Sequence, residues 1–270
     1  RTARLVAEWM RVGFVHGVLN TDNMSIIGLT IDYGPYGWIE PYDPDWTPNT
    51  TDAQGGRYRF GWQPRVAYWN LGQLAQALSP LIEDAEALQS GLRRFADTYT
   101  DAEHAITARK LGLAECRDGD VELINDLHGL LHTHEVDMTI WFRALSDAPT
   151  GLPSFQQFEA ASYDDAKRIA GEGDFNDWLQ RREARLQEDP LPADVRIGIM
   201  HKANPKFVLR NWLAQQVIER AEGGDPSGIA ELLDVMRRPY DEQPGREAFS
   251  AKRPDWAKVK AGCSMLSCSS

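Results

Sequence analysis

Apolar residues recur at helical spacing along most of this chain. Leu5, Val6, Trp9 and Met10 form one stripe across Thr2 to Arg11, and Gly13 ends it. From Tyr33 to Gly61 the period is lost among Gly, Pro, Asp and Asn, which predicts a long ordered loop of the kind that carries function. Periodicity then returns and predicts helices at about Arg65 to Ala87, Gln89 to Leu111, Asp118 to Leu145, Tyr163 to Gln187, Lys206 to Glu222 and Ser227 to Met236. Asn204-Pro205 reads as a helix N-cap with proline at the first helical position, and Gly223-Gly224-Asp225-Pro226 as a stop. After Pro239 the chain turns polar and proline-containing, the pattern of a segment that wraps over the surface or is loosely ordered. One short stretch is not helical in pattern: Met24 to Ile31 is apolar and rich in β-branched residues, which predicts a short β-hairpin.

That hairpin is flanked by polar groups whose order suggests chemistry. Within Val15 to Gly34, VHGVLNTDNMSIIGLTIDYG, residues His16, Asp22, Asn23 and Asp32 outline a nucleotide-and-magnesium site. A magnesium ion that bridges phosphates needs hard oxygen ligands, and the Asn23 amide carbonyl and the Asp32 carboxylate on opposing backbone elements would supply them. Kinase-like folds use the same order: a loop with His, Asp and Asn, then a hairpin, then Asp, an aromatic residue and Gly. There is one departure. In the ordinary kinase loop the Asp base stands two residues after the His and the Asn five residues after that Asp. Aligning His16 places Asn23 correctly but puts Val18 where the base should be. Valine cannot accept a proton, and the nearest carboxylate is Asp22. Either the loop uses a displaced acidic group or the site does not carry out standard phosphoryl transfer. Asp22, Asn23 and Asp32 taken singly are also ordinary turn residues. It is their ordered combination that argues for a site.

These residues and their surroundings resemble the selenoprotein O family, kinase-like proteins that transfer AMP from ATP to protein hydroxyls. The resemblance rests on the stretch from His16 to Ser25 and on Thr30-Ile-Asp-Tyr-Gly-Pro35. It continues through Gln63-Pro64, Trp69-Asn70-Leu71, Asn204-Pro-Lys206, Leu209-Arg-Asn-Trp212 and the closing Cys268-Ser-Ser270. It implies a mainly α fold, with a protein-kinase-like C-lobe, a short β-hairpin at the metal site and a helical C-terminal extension. On that reading, residues 1–146 form the C-lobe with its catalytic loop and activation-segment equivalent, 147–238 the helical extension and 239–270 a polar tail. Asp22 would accept the proton of the target hydroxyl. Asn23 and Asp32 would bind Mg2+, or Mn2+, and Asp32 would hold the nucleotide through it. The implied substrates are ATP and protein Ser, Thr or Tyr, with pyrophosphate released by a monomeric enzyme. An N-terminal lobe with a Gly-rich loop and a strand Lys, which the family carries, has no counterpart in these residues, so the chain is expected to be inactive alone. The competing readings are an inert kinase-like binding module and an ordinary phosphotransferase.

Composition narrows the setting. With 29 basic and 40 acidic residues, the net charge of -11 argues against a nucleic-acid scaffold, which needs clustered Lys and Arg. No apolar run reaches the roughly 18 residues of a membrane helix. Three cysteines do not make a disulfide framework, so a reducing compartment is expected: cytoplasmic, or mitochondrial if a targeting peptide preceded this segment. Cys116 reads as a structural thiol, and Cys263 and Cys268 as exposed, oxidisable thiols of the tail. By the resemblance, Cys268 stands where some members carry selenocysteine, and Pro48 stands where some carry a cysteine, which rules out a disulfide from the tail to that segment. His128 and His132 would share a helix face, but without a third ligand they read, with His134, as solvated or hydrogen-bonded. Trp69, Trp141 and Trp212 lie in helical apolar patterns and read as core. Arg57, Tyr58 and Arg59 could hold phosphate or a target protein, or serve the loop itself.

Overall fold

The first helix runs where its apolar stripe requires. α1 (Thr2–Val12) buries Val6, Ala7 and Trp9, and Gly13 ends it with φ 76, its N–H closing on the Trp9 carbonyl. This is a computed structural model describing residues 1–148, 150–263 and 266. The described residues are mainly helical, with one small two-stranded sheet among them. The chain divides into two compact units, one of residues 1–37 and 44–106 with Leu266, the other of 38–43 and 107–263.

In the first unit α1 packs on α2 (Gln63–Leu78). Between them lie β1 (Phe14–Val15) and the buried side chains of Leu19, Phe60, Val66 and Ala67. β1 pairs with β2 (Gly37–Trp38). Residues 16–36 are therefore a loop closed at its base by the sheet. α2 stops at Leu78, short of the expected Ala87, because Pro80 has no N–H with which to continue the helical ladder. α3 (Ala85–Leu111) starts afresh, with the Asp84 carboxylate accepting from the amides of Glu86 and Ala87 at 3.0 and 3.2 Å.

The second unit is built around aromatic rings. Trp141 on α5 (Met138–Ser146) stacks on Phe158 at 4.0 Å and meets Phe175 of α6 (Asp165–Gln187) at 4.6 Å between centroids. α4 (Asp118–Thr133) packs on α6, where the Trp178 indole N–H donates to the Leu123 carbonyl at 2.7 Å. α7 (Ala193–Ala203) packs on α5, and α8 (Asn211–Glu222) on α9 (Ser227–Met236). Of the described residues after Pro239, Ala257 and Cys263 anchor the segment, buried with Trp212, Leu213 and Leu232. Cys263 is thus not the exposed thiol expected, and burial pushes its pKa up. Cys268 lies outside the described residues. None of the described helices is long and apolar enough to cross a membrane.

Two corrections trace to one buried ion pair. The single helix expected over Asp118 to Leu145 is two, broken where Glu135 takes a left-handed φ of 51 and Asp137 caps α5 by accepting from the Ile140 amide at 3.0 Å. Asp137 also accepts both guanidinium N–H groups of Arg210, at 2.7 and 3.1 Å, and the Tyr163 hydroxyl at 3.0 Å. Arg210 is drawn inward, so residues 205–210 are not helical and α8 starts only at Asn211. Asn204 ends α7 instead of starting a helix, its side-chain amide donating to Ser146 Oγ at 3.0 Å.

Glu40 completes this cluster, with Arg253 at 3.2 Å and Arg210 at 3.6 Å. Burial outweighs both guanidinium groups and pushes its carboxyl from 4.5 up to about 7. The folded state thus holds this proton more tightly than the unfolded one. The contribution is complete below pH 4.5 and is lost as pH rises through about 7. Glu40→Gln should flatten the fall in melting temperature between pH 5 and 8, the wild-type loss from this group being at most on the order of 3 kcal/mol. Parallel profiles for the two proteins would remove Glu40 as its source.

Candidate functional site

The loop 16–36 is held by polar side chains that reach it from elsewhere in the first unit. Gln63, at the start of α2, donates from Nε2 to the Phe14 carbonyl at 2.8 Å and accepts from the His16 amide at 2.9 Å. Asn70, one turn after Val66 on the buried face, donates from Nδ2 to the carbonyls of Leu19 and Asn20 at 3.0 and 3.3 Å. Asn49 donates to the Gly17 carbonyl at 3.1 Å. All three are buried and donate to backbone carbonyls, while Asn70 Oδ1 has no hydrogen-bond partner. Gly17 has φ 78, and a Cβ there would strike the Pro35 carbonyl oxygen, so no other residue fits.

His16 ties the two ends of the site together. Its ring is buried, and Nε2 lies 2.8 Å from the Ile31 carbonyl. Burial is the largest influence on its pKa and lowers it, which keeps the imidazole neutral with its proton on Nε2, as a donor to that carbonyl. His16 is therefore an orienting group that fixes the residue before Asp32.

Thr21–Asn23 forms one 3-10 turn, with the Asn23 amide donating to the Asn20 carbonyl at 3.2 Å. The Asn23 side chain donates from Nδ2 to the Val18 carbonyl at 2.8 Å, which leaves Oδ1 as the atom available to a cation. Met24 and Thr30 then pair in an antiparallel bridge. Asn23 and Asp32 leave this bridge on its two strands, the first one position and the second two positions beyond the paired residues. The expected hairpin is thus one bridge closing a tight turn. Its apolar residues point outward: Ile26 is 71% exposed, and Ile27, Leu29 and Tyr33 are exposed too.

Asp32 has φ 56, a left-handed backbone that is uncommon outside glycine. The Gly34 amide closes on its carbonyl at 2.8 Å. The carboxylates of Asp22 and Asp32 are both exposed. Among the described residues no three His, Cys, Asp or Glu side chains gather as a metal cage. The donors that fit a hard cation here are one amide oxygen and one carboxylate, a set that suits an ion bound mainly by phosphates and water. His128, His132 and His134 do not form a metal site. His128 is stacked on Tyr42 at 4.6 Å, its pKa pushed by burial down to about 3, while His132 and His134 bond the carbonyls of Tyr42 and Lys167 at 3.2 and 3.0 Å.

Beside the loop, Val18, Asn20, Asn49, Thr51, Asp52 and Tyr58 line a cavity of about 250 Å3. The Tyr58 hydroxyl donates to Asn20 Oδ1, and its pKa is raised by burial first and by the charges of Asp52 and Asp22 after it. The neighbouring arginines serve the loop itself. Arg59 lies over the Trp62 ring at 3.8 Å and pairs with Asp45 at 2.8 Å, and Arg57 lies over Trp69 at 4.4 Å. Trp69 is not core: it is 46% exposed, because α2 turns Val66, Ala67 and Asn70 inward and leaves Trp69 outside that face. Gln63, Asn70 and Asn49 were not assigned roles from sequence. The available signal was a polar residue embedded in the apolar face of a helix, as at Asn70.

Residues 1–237 match the family described as "Protein adenylyltransferase SelO". Over all 270 residues the chain is 65% identical to a "Protein nucleotidyltransferase YdiU" of Xanthomonas axonopodis pv. citri (strain 306), of which it covers 52%. It is 64% identical to the proteins of that name from Xanthomonas oryzae pv. oryzae strains MAFF 311018 and KACC10331, again covering 52% of each. The chain spans about half the length of the curated relatives it matches.

Proposed function

The chain belongs to the protein adenylyltransferase SelO family, and from that premise we propose that it supplies the metal ligands and the proton acceptor of an enzyme that moves AMP from ATP to Ser, Thr or Tyr hydroxyls of proteins. The observation that carries this reading is the backbone of Asp32. A non-glycine residue at φ 56 costs on the order of 1 kcal/mol or more and persists only where its surroundings enforce it. Here the His16 bond to Ile31 and the Met24–Thr30 bridge fix the backbone immediately before Asp32 and immediately after Asn23. This supports the reading as a kinase-like C-lobe, in which Asn23 Oδ1 and Asp32 would hold Mg2+ or Mn2+.

A divalent cation bound there supplies positive charge against the phosphates of ATP. The chain's own residues do the rest. Asp22 takes the proton of the acceptor hydroxyl, whose oxygen bonds to the α-phosphorus of ATP as the bond from that phosphorus to the β-bridging oxygen breaks, and pyrophosphate leaves. Val18, buried where an ordinary kinase has its base, contributes no proton acceptor. Asp22→Asn is nearly isosteric and should lower kcat by about 10²-fold or more while leaving the KM for ATP within about twofold. Equal changes in both constants would assign Asp22 to structure.

The reading itself is tested by label. A protein of the relatives' full length carrying these residues should transfer label to protein targets from ATP marked at the α-phosphate and none from ATP marked at the γ-phosphate. Transfer from the γ position would make it an ordinary phosphotransferase. The 270-residue chain alone should bind Mg-ATP weakly in calorimetry and transfer little, since the site on it offers a cation only two protein ligands.

A further inference from the structure

The strand-like stretch 48–50 is paired with a residue more than two hundred positions away. The Leu266 amide donates to the Pro48 carbonyl at 2.8 Å. The Leu266 carbonyl accepts from the Thr50 amide at 2.8 Å and from the Thr50 hydroxyl at 3.0 Å. The result is a parallel bridge between Asn49 and Leu266. Without Leu266, the Pro48 carbonyl and the Thr50 amide would lose their partner. The same loop is fixed at its two ends by other bonds, Gly61 to Pro44 at 2.8 Å and Phe60 to Trp46 at 3.0 Å. Leu266 is the backbone tie at Pro48 and Thr50, in the middle.

The middle is where the loop meets the site. Asn49, between the two bonded residues, reaches across to the Gly17 carbonyl and accepts from the Thr51 amide at 3.0 Å. A Cβ at Gly17 would also lie 3.2 Å from Pro48 Cγ, so this stretch packs directly on the loop that carries Asp22 and Asn23. Asn49, Thr51, Asp52 and Tyr58 line the 250 Å3 cavity together with Val18 and Asn20. The space equals the liquid volume of about eight waters, room for one amino-acid side chain. A hydrogen-bonded path thus runs from Leu266 through Pro48 and Thr50 to Asn49 and on to Gly17.

We propose that Leu266 is a positioning residue, whose backbone pairing with Pro48 and Thr50 sets the cavity wall that receives the side chain of the acceptor protein. This rests on the AMP-transfer reading for the identity of the acceptor, but the pairing stands apart from it. The ATP contacts proposed above, through Asn23 and Asp32, do not include Leu266, Pro48 or Thr50. Loosening the tie should therefore impair acceptor use and spare ATP use.

Two variants separate the backbone from the side chain. Leu266→Pro removes the N–H that bonds Pro48, and Leu266→Ala keeps it. In the 270-residue chain, hydrogen exchange at the Thr50 amide should speed up about tenfold or more in Leu266→Pro and stay near wild type in Leu266→Ala. In a full-length protein, Leu266→Pro should raise the KM for the acceptor about tenfold with the KM for ATP unchanged, and Leu266→Ala should change neither. Unaltered exchange at Thr50 in Leu266→Pro overturns the pairing. Faster exchange without a change in acceptor KM, or with an equal rise in both KM values, overturns the positioning role. If the full-length wild type transfers no α-label at all, it is the AMP-transfer reading that has failed, and the exchange result still decides the tie.

Discussion

Asp32→Ala, placed in a protein of the relatives' full length, is expected to reduce AMP transfer about a thousandfold or more, even at saturating Mg2+. The carboxylate is the only anionic oxygen that the Asn23–Asp32 pair offers a cation, and no neighbouring His, Cys, Asp or Glu cluster can replace it among the described residues. Folding should scarcely register the change. Asp32 is exposed, and alanine at φ 56 costs at most about 1 kcal/mol more than aspartate. Asp32→Gly sharpens the test, because glycine takes the left-handed backbone freely: it should be as inactive as alanine yet more stable, by roughly 0.5–1 kcal/mol. An active alanine variant would defeat the metal assignment. An active glycine variant beside an inactive alanine would show that the backbone, not the carboxylate, matters.

The second large effect is on stability. Arg210→Ala should lower the unfolding free energy by about 3–5 kcal/mol, measured by urea denaturation at pH 7, because it leaves Asp137 buried without its bidentate partner. Asp137 keeps the Ile140 amide and the Tyr163 hydroxyl, so part of its charge remains solvated by donors. Adding Asp137→Asn to Arg210→Ala should recover part of the loss, since the uncompensated charge is then gone. A cost under about 1 kcal/mol for Arg210→Ala would mean that the break between α4 and α5 is held by packing alone.

What could be read from the residues follows from how local the cause is. α1, α6 and α9 were legible because their inward faces carry apolar residues at helical spacing, with Gly13 ending α1 and Asp164 capping α6. α7 was missed because its buried positions are Arg196, Met200 and Ala203, and an inward arginine reads as a solvent-facing one. Arg196 is accommodated by the carbonyls of Gly112 and Leu191, which no local pattern announces. The break before α5 and the late start of α8 share the Asp137–Arg210 pair, seventy-three residues apart in the chain. Met24 to Ile31 has strand composition, yet composition cannot say that its side chains face outward. Asp22, Asn23 and Asp32 could be put in one loop because they lie within eleven positions and in a recognisable order. The side chains that hold the loop, Gln63, Asn70 and Asn49, act through hydrogen bonds across 32 to 51 positions; Gln63 and Asn70 were legible only as parts of a family pattern, and Asn49 not at all.

The outward-facing turn has a colloidal consequence. Ile26, Ile27 and Leu29 leave an apolar surface beside the site, and the chain's net charge of -11 opposes the approach of such surfaces on separate copies. Near pH 5.0, the sequence isoelectric point, that repulsion vanishes while the turn remains uncovered. Self-association of the isolated chain should therefore set in on acidification well before any carboxylate of the fold is needed to explain it, and added salt, by screening the same repulsion, should act in the same direction.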